Sequence, residues 1–311
     1  MLDIQTLGDD LDFSQILKLG EVTAYRMTAP EEVIDRIRDA EVLILNKVKL
    51  YADSLRYAEK LKLICITATG YDNVDIDYCR EHGIAVCNAA GYSTDSVVQL
   101  TVSMAFSLVT HLLSYDRYVK SGTYTKSGIF NHLTPVFREI SALTWGVVGL
   151  GNIGGKVADI AKTMGCRVIV YKRTVVEQYP CVDLDTLCKE SDIITVHTPL
   201  NDGTYHLINE ERIAMMKPGV VLINVARGAV VSEEAVTEAV LAGKIGGLGV
   251  DVYSTEPMHS DSPYQKLLGR DDVIFTPHMA WGAYDARQRC VDEVTKNIQS
   301  FYARETRSRI V

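Results

Sequence analysis

Residues 144–171 read TWGVVGLGNIGGKVADIAKTMGCRVIVY, and this stretch decides the fold. Two Val-rich runs of strand length, 144–148 and 167–171, enclose a glycine-rich turn and a segment with helical spacing at 152–164. Two strands joined through a helix run parallel, because the crossing helix returns the chain to the same end of the sheet. The stretch therefore predicts a parallel sheet covered by a helix.

The same alternation of strand and helix signals recurs along the chain. Segments with helical spacing, such as 30–39, 74–82 and 232–242, separate short apolar runs that are rich in Val and Ile. Strands that alternate with helices indicate the α/β class, with doubly wound parallel sheets. The predicted strands are 41–45, 62–67, 84–87, 144–148, 167–171, 192–196, 220–224, 247–250 and 272–276.

Two domains are expected, because this rhythm breaks once. A long helical stretch at 96–119 and a polar, glycine-containing piece at 120–141 separate the first three predicted strands from the rest. The last helical pattern, 284–302, has no strand after it, and we expect it to cross back to the first domain. The predicted domains are 1–96 with 283–311, and 97–282.

Composition narrows the classes of partner. The chain has 311 residues, 47% of them hydrophobic, and its 40 acidic against 32 basic residues give a net charge of -8. This balance argues against nucleic acid as a main partner. The seven cysteines form no Cys-x-x-Cys pair and have no nearby His at metal-ligand spacing, which is typical of reduced, buried thiols in a cytoplasmic protein without a metal site. The most apolar stretch, 100–113, is interrupted by polar residues, so no membrane span is expected.

The glycine-rich turn has the form Gly-x-Gly-x-x-Gly, with Gly149, Gly151 and Gly154 at the three fixed positions and Asn152 and Ile153 at the start of the predicted helix. The first glycine permits the tight turn, the second lets the backbone approach a pyrophosphate, and the third allows close packing of helix on strand. The free N–H groups and the positive dipole end of the helix attract phosphate. Because the pattern lies between a predicted strand and a predicted helix, it predicts a dinucleotide-binding site.

The end of the next strand bears on which dinucleotide is bound. An acidic residue is expected there to accept the ribose 2′-hydroxyl of NAD, but the sequence has Lys172, Arg173 and Thr174. Two cations and a hydroxyl suit a 2′-phosphate through charge-assisted hydrogen bonds, which favours NADP over NAD. The alternative is that these side chains are an exposed strand end, and that NAD is bound without the acid.

Three further predicted strands are followed directly by polar side chains that form a coherent chemical set: Arg227, Glu256 and His278. Ligands of open α/β sheets bind outside the carboxyl ends of the strands, so these groups are expected to converge. Arg can hold a carboxylate with two hydrogen bonds, and His exchanges a proton near neutral pH. A Glu beside the His favours the imidazolium and fixes its orientation.

The motifs around these residues resemble a known family. Residues 224–228 (NVARG), 251–257 (DVYSTEP) and 276–278 (TPH) are similar to the three signatures of the D-isomer-specific 2-hydroxyacid dehydrogenases. The resemblance extends over almost the whole chain, including 68–75 and 196–200, and is greatest to the glycerate dehydrogenase and hydroxypyruvate or glyoxylate reductase members. Those members have a Trp soon after the catalytic His, as Trp281 stands here.

The resemblance implies two Rossmann-like domains, a flavodoxin-like substrate domain and an NAD(P)-binding domain. It implies hydride transfer between a nicotinamide cofactor and a small 2-oxo acid or D-2-hydroxy acid, with hydroxypyruvate or glyoxylate as the expected substrates. Arg227 would bind the substrate carboxylate and carbonyl oxygen, His278 would be the acid/base, and Glu256 would be its ion-pair partner.

The family also implies further contacts and an oligomeric state. A homodimer would form through an arm at about 96–141. Backbone N–H groups near Tyr71, together with Trp281, would contact the substrate. The implied substrate-binding residues are Thr69, Gly70, Tyr71, Arg227 and Trp281, and the implied additional cofactor-binding residues are Thr198, Pro199, Val225, Ala226 and Asp251.

One alternative from another class stays open. Corepressors of the same family sense the dinucleotide without significant turnover, and they share the catalytic set of residues. A formate dehydrogenase fits poorly, because those relatives lack the Glu partner that Glu256 supplies.

Overall fold

The structure, a computed structural model, describes residues 1–172, 174 and 177–311. The chain divides into two units, one made of Met1–Ser93 with Trp281–Val311 and the other of Thr94–Ala280. Each unit contains a parallel sheet with helices packed against it, so the predicted α/β class is confirmed. The C-terminal helix, α12 (Tyr284–Tyr302), belongs to the first unit.

The first unit is built on a three-stranded parallel sheet in the order β1-β2-β3, with Ile44, Cys65 and Cys87 in register across it. The sheet residues are almost wholly buried, as expected of parallel strands with both faces covered. Val294 and Ile298 of α12 pack against one face. The elements are α1 (Ser14–Leu17), α2 (Val33–Ile37), β1 (Val42–Leu45), α3 (Ala52–Leu55), β2 (Leu63–Ile66), α4 (Ile76–Glu81), β3 (Ala85–Cys87) and α12.

The chain's last residues, 308–311, run along the outer edge of β3 in the antiparallel direction. The N–H of Val86 donates to the carbonyl of Val311 at 3.2 Å, and the N–H of Ile310 donates to the carbonyl of Val86 at 2.8 Å. A third bond joins the N–H of Asn88 to the carbonyl of Ser308 at 3.2 Å. The tail therefore satisfies backbone groups that a sheet edge leaves without partners.

The second unit is built on a six-stranded parallel sheet in the order β5-β4-β6-β7-β8-β9. The chain leaves β4 first to one side and then returns to the other, so the topological switch point lies between β4 and β6. All nine predicted strands are confirmed within the described residues. Those of this unit are β4 (Thr144–Val148), β5 (Arg167–Tyr171), β6 (Ile193–Val196), β7 (Val220–Asn224), β8 (Ile245–Val250) and β9 (Val273–Phe275).

The helices of the second unit cover both faces of this sheet. On one face, buried side chains such as Leu187 and Val236 join the sheet residues in a single core. The helices are α5 (Thr94–Val109), α6 (Leu112–Lys120), α7 (Thr123–Ser127), α8 (Asn152–Thr163), α9 (Leu184–Glu190), α10 (Glu210–Met215) and α11 (Glu233–Leu241).

The predicted single helical stretch at 96–119 was wrong in one respect, because two helices form there. His111 adopts a left-handed backbone with φ of 51°, which ends α5 before α6 begins, and the two helices are bent by 63° relative to each other. No single helix of the described residues is long and apolar enough to cross a membrane; α5 and α6 reach the required length and hydropathy only when taken together.

Candidate active site

The glycine-rich turn follows β4 and lies against the segment that follows β6. Gly149 has φ of 94°, a conformation that L side chains rarely adopt. A Cβ at Gly149 would lie 3.0 Å from the carbonyl carbon of His197, and one at Gly154 would lie 2.0 Å from the carbonyl oxygen of Gly149. The first and third glycines are therefore required by close backbone approach, as the motif predicts.

The N-terminus of α8 fits a phosphate group. Gly151 is its N-cap and offers no side chain to the free N–H groups of the first turn, around Asn152 and Ile153. The N-caps of α9, α10 and α11 each accept a hydrogen bond with their side chains. A Cβ built on Gly151 would meet no atom within 4 Å, so the space in front of the helix is open. Unpaired donors facing open space are what a pyrophosphate requires.

Across the switch point, β6 leads into His197, Thr198 and Pro199. The N–H of His197 donates to the carbonyl of Val148 at 2.8 Å, which holds this segment beside the turn. Neither ring nitrogen of His197 has a hydrogen-bond partner among the described residues, and both are buried. Burial lowers the pKa of the His197 imidazole to about 3, so the ring is neutral at physiological pH. Thr198 is partly buried and Pro199 is exposed.

The residues predicted to choose between NAD and NADP follow β5. Lys172 and Thr174 are both exposed directly after the strand ends at Tyr171. Arg173 lies outside the described residues. The two described side chains are accessible to a ligand at the carboxyl end of the sheet.

Arg227 stands in a turn that Asn224, the last residue of β7, stabilises. The Asn224 side chain accepts from the N–H of Ala226 at 3.1 Å and donates to the carbonyl of Arg227 at 2.9 Å. The Arg227 guanidinium is partly buried and donates from Nη1 to the carbonyl of Ala226 at 2.9 Å. Val225 is buried beneath this turn. The Asn side chain thus fixes the backbone from which the guanidinium projects.

Glu256 and His278 form an ion pair at the carboxyl ends of β8 and β9. Oε2 of Glu256 lies 2.6 Å from Nδ1 of His278, and the side chains are 34% and 24% exposed. Oε1 of Glu256 accepts from the N–H of Tyr253 at 3.1 Å. Because the carboxylate engages Nδ1, it fixes the orientation of the imidazole ring.

Asp251 supports the turn that carries His278. Its carboxylate is buried and accepts three hydrogen bonds, from Oγ1 of Thr276 at 2.6 Å, the N–H of Met279 at 2.8 Å and the N–H of Ala280 at 3.0 Å. His278 between them has φ of 50°, a strained value for a residue with a Cβ. Burial raises the pKa of the Asp251 carboxyl, and these hydrogen bonds oppose that rise. The side chain predicted to line the nicotinamide therefore also fixes the backbone of His278.

The remaining predicted residues belong to the first unit. Thr69, Gly70 and Tyr71 follow β2, and within the described residues their N–H groups have no acceptor. Asn88 donates to the carbonyl of Thr69 at 2.7 Å, which orients this turn. Trp281 packs edge-on against Tyr92, with ring centroids 6.4 Å apart. Within the described residues, these three consecutive N–H groups are therefore available to donate to a ligand.

Sequence reasoning missed the side chains that connect these segments. Asn224 and Tyr253 lie inside the motifs at 224–228 and 251–257. Their place in a motif was the only sequence feature that could have marked them as functional. Their partners are other loops, and a one-dimensional pattern does not reveal such pairings. No group of three or more potential metal ligands occurs within the described part of the chain.

Comparison with known proteins identifies the family. Residues 102–280 match the model of the D-isomer specific 2-hydroxyacid dehydrogenase, NAD binding domain. A hydroxypyruvate reductase of Blautia hydrogenotrophica is 33% identical over 300 residues, which cover 94% of this chain and 92% of that protein.

Two solved structures have the same fold. The D-lactate dehydrogenase of Aquifex aeolicus, solved with NAD and lactic acid, has a TM-score of 0.83 at 34% identity and covers 94% of this chain and 92% of its own. An acyclic imino acid reductase solved with NADPH and D-Arg has a TM-score of 0.85 at 28% identity and covers 96% of this chain and 94% of its own. The chain therefore belongs to the D-isomer-specific 2-hydroxyacid dehydrogenases, and it is a nicotinamide-dependent oxidoreductase with two Rossmann-like domains that acts on 2-hydroxy acids and their 2-oxo counterparts.

Proposed function

We propose that the protein reduces a small 2-oxo acid to the D-2-hydroxy acid, with hydroxypyruvate or glyoxylate as the preferred substrate. The observation that carries this proposal is the ion pair at 2.6 Å between His278 and Glu256, which holds a proton donor beside the carboxyl end of the sheet. A hydroxypyruvate reductase among the relatives supports the choice of substrate.

The proposed roles follow from the chemistry of the three side chains. Arg227 binds the substrate carboxylate and stabilises the negative charge that develops on the carbonyl oxygen. Protonated His278 delivers its Nε2 proton to that oxygen, and Glu256 stabilises the imidazolium before the transfer. A bound nicotinamide cofactor supplies the hydride that reaches C2, so the 2-oxo acid gains one hydride and one proton.

The domain roles are part of the proposal. Residues 1–96 with 283–311 form the substrate-binding domain, and 97–282 form the dinucleotide-binding domain. Thr69, Gly70 and Tyr71 offer N–H groups to the substrate carboxylate, and Trp281 limits the size of the substrate side chain. The N–H groups of Thr69, Gly70 and Tyr71, which have no acceptor among the described residues, support this assignment. Val225, Ala226 and Asp251 contact the nicotinamide side of the cofactor, and Thr198 and Pro199 the adenosine side.

The test is the loss of NADPH or NADH absorbance with glyoxylate, hydroxypyruvate, pyruvate and phenylpyruvate in parallel. We expect turnover with glyoxylate and hydroxypyruvate to exceed turnover with phenylpyruvate. Measurable cofactor binding without turnover on any of the four would overturn the proposal and favour a dinucleotide-sensing protein.

We further propose that NADP is preferred over NAD. The proposal is supported by the exposure of Lys172 and Thr174 after β5 and by the absence of a carboxylate directly after this strand in the sequence. Lys172→Ala should lower kcat/KM for NADPH about tenfold and leave kcat/KM for NADH unchanged. The exposed Lys189 of α9 provides the matched control, Lys189→Ala. A wild-type protein that favours NADH would contradict this preference.

We propose a homodimer formed through the arm, residues 96–141. The arm exposes large apolar side chains, including Phe130 at 93%, Val136 at 81% and Leu133 at 68%. An apolar surface of this kind marks an interface, and a second copy of the chain covers it in the proposed assembly. Phe130→Asp should convert a two-chain mass in sedimentation equilibrium to a one-chain mass, whereas Leu17→Asp, which alters an exposed Leu in the first unit, should not. A one-chain mass for the wild type would overturn the dimer.

A cytoplasmic location completes the proposal. Its support is the state of the cysteines, because all seven are free thiols and six of them are buried. Free thiols persist in a reducing compartment. Fractionation of cells that produce the tagged protein tests the location, and recovery in an oxidising compartment would contradict it.

A further inference from the structure

Tyr253 touches all three segments that carry the proposed catalytic side chains. It lies in the loop after β8, and its half-buried ring packs near Tyr264 and Phe275, with centroids 6.4 and 6.3 Å away. Neither the reaction chemistry nor the family motif assigns a role to this residue, but its contacts indicate one.

The first contact is with the His278 turn. The Tyr253 hydroxyl donates to the carbonyl of Thr276 at 3.0 Å, two residues before His278. Burial, together with the nearby Asp251, Glu256 and Glu233 carboxylates, raises the pKa of the Tyr253 phenol to about 12. The hydroxyl therefore keeps its proton, and its role as donor, at every pH at which the enzyme would be assayed.

The second contact is with Glu256. The N–H of Tyr253 donates to Oε1 at 3.1 Å, while Oε2 of the same carboxylate faces His278. The backbone of Tyr253 thus orients one member of the ion pair, and its side chain orients the turn that carries the other.

The third contact is with the Arg227 turn. A Cβ built on Gly228 would lie 2.0 Å from the carbonyl carbon of Tyr253 and 2.2 Å from the N of Ser254. Only a glycine after Arg227 allows the two backbones to approach so closely. A shift of Tyr253 would therefore displace the residue next to Arg227.

We propose that Tyr253 is a positioning residue that sets the relative geometry of Arg227, Glu256 and His278. The inference rests on the proposed function. Because the groups must be placed to within a fraction of an ångström for proton transfer, loss of one hydrogen bond between two of the loops lowers kcat while binding stays intact.

The experiment compares Tyr253→Phe with Tyr264→Phe in steady-state reduction of the best 2-oxo acid, with cofactor affinity measured by fluorescence titration. Tyr253→Phe keeps the ring and removes only the bond to Thr276. We expect it to lower kcat about tenfold, with KM, the cofactor Kd and the melting temperature close to those of the wild type. Tyr264→Phe removes a hydroxyl from the same aromatic cluster, and we expect its kcat to equal that of the wild type.

A wild-type kcat for Tyr253→Phe would overturn the inference, as would an equal loss in both variants or a loss confined to cofactor affinity. His278→Ala is assayed alongside to separate the two proposals. If His278→Ala is inactive and Tyr253→Phe is fully active, only the positioning role fails. If His278→Ala is fully active, the proposed function fails and the positioning role fails with it.

Discussion

Nδ1 of His278 lies 2.6 Å from Oε2 of Glu256, although the two residues are 22 positions apart and follow different strands. Two consecutive parallel strands end side by side, and each supplies one partner. In the proposed reaction, His278 is the proton donor and Glu256 holds its ring in place.

Glu256→Gln should lower the rate of 2-oxo acid reduction. The amide keeps the shape of the side chain but has no charge to favour the imidazolium, so we expect kcat/KM at neutral pH to fall about 10- to 100-fold. Steady-state kinetics at neutral pH measure the effect. Glu234→Gln, on the exposed side of α11, is the control, and an unchanged kcat/KM for Glu256→Gln would contradict the role of the pair.

Arg227→Lys should show whether the two-pronged shape of the guanidinium matters. Lysine keeps the charge but cannot form two parallel hydrogen bonds with a carboxylate, so kcat/KM for the 2-oxo acid should fall about 100-fold. Cofactor affinity should not change, since Arg227 is assigned to the substrate. Steady-state kinetics and a cofactor titration separate the two quantities. An unchanged kcat/KM would remove Arg227 from the site.

The adjacent glycines of α8 provide a matched pair of substitutions. Gly154→Ala places a Cβ 2.0 Å from the Gly149 carbonyl oxygen, so it should distort the turn and weaken cofactor binding. A Cβ on Gly155 would meet no atom within 4 Å, so Gly155→Ala should raise the free energy of unfolding by about 0.5–1 kcal/mol, the helix-propensity difference. Fluorescence titration with NADPH and NADH and urea unfolding measure the two effects. Equal cofactor affinity in both variants would contradict the required close packing.

Because of His197, the free energy of unfolding should be lower in mild acid than at neutral pH. Its pKa is lowered to about 3 in the folded chain, against about 6.5 when unfolded, so between these values the unfolded chain binds more protons. Stability contributed by the neutral ring is present above pH 6.5 and decreases as the pH falls, by about 2 kcal/mol between pH 7 and pH 5.

The measurement is urea unfolding at both pH values for the wild type and His197→Leu. The variant cannot take up this proton when it unfolds, so its free energy of unfolding should fall by about 2 kcal/mol less than that of the wild type. The exposed His82 is the control, and His82→Gln should behave as the wild type. An identical loss in the wild type and in His197→Leu would contradict the prediction.

Much of the fold was predictable from local patterns. Parallel strands that are buried on both faces are continuous apolar runs, and for this reason all nine were found from the sequence. The glycine-rich turn was predictable because two of its glycines, Gly149 and Gly154, are required by backbone contact.

The rest depends on contacts between distant segments. The break between α5 and α6 occurs where His111 adopts a left-handed backbone conformation, which its residue type alone does not predict. The buried carboxylate of Asp251 accepts hydrogen bonds from the N–H groups of residues 279 and 280, and the Tyr253 hydroxyl donates to the carbonyl of Thr276. Their positions within a motif were visible, but the acceptors and donors they meet are determined only when the strands are assembled.

The C-terminal residues that pair with β3 have a consequence for behaviour at high concentration. An uncovered strand edge is a template on which another molecule can add a strand and begin to aggregate. Residues 308–311 already occupy the hydrogen-bonding groups of Val86. These residues therefore protect the protein against aggregation. A chain shortened before Ser308 should keep the loops that carry Arg227, Glu256 and His278, but it should be less soluble.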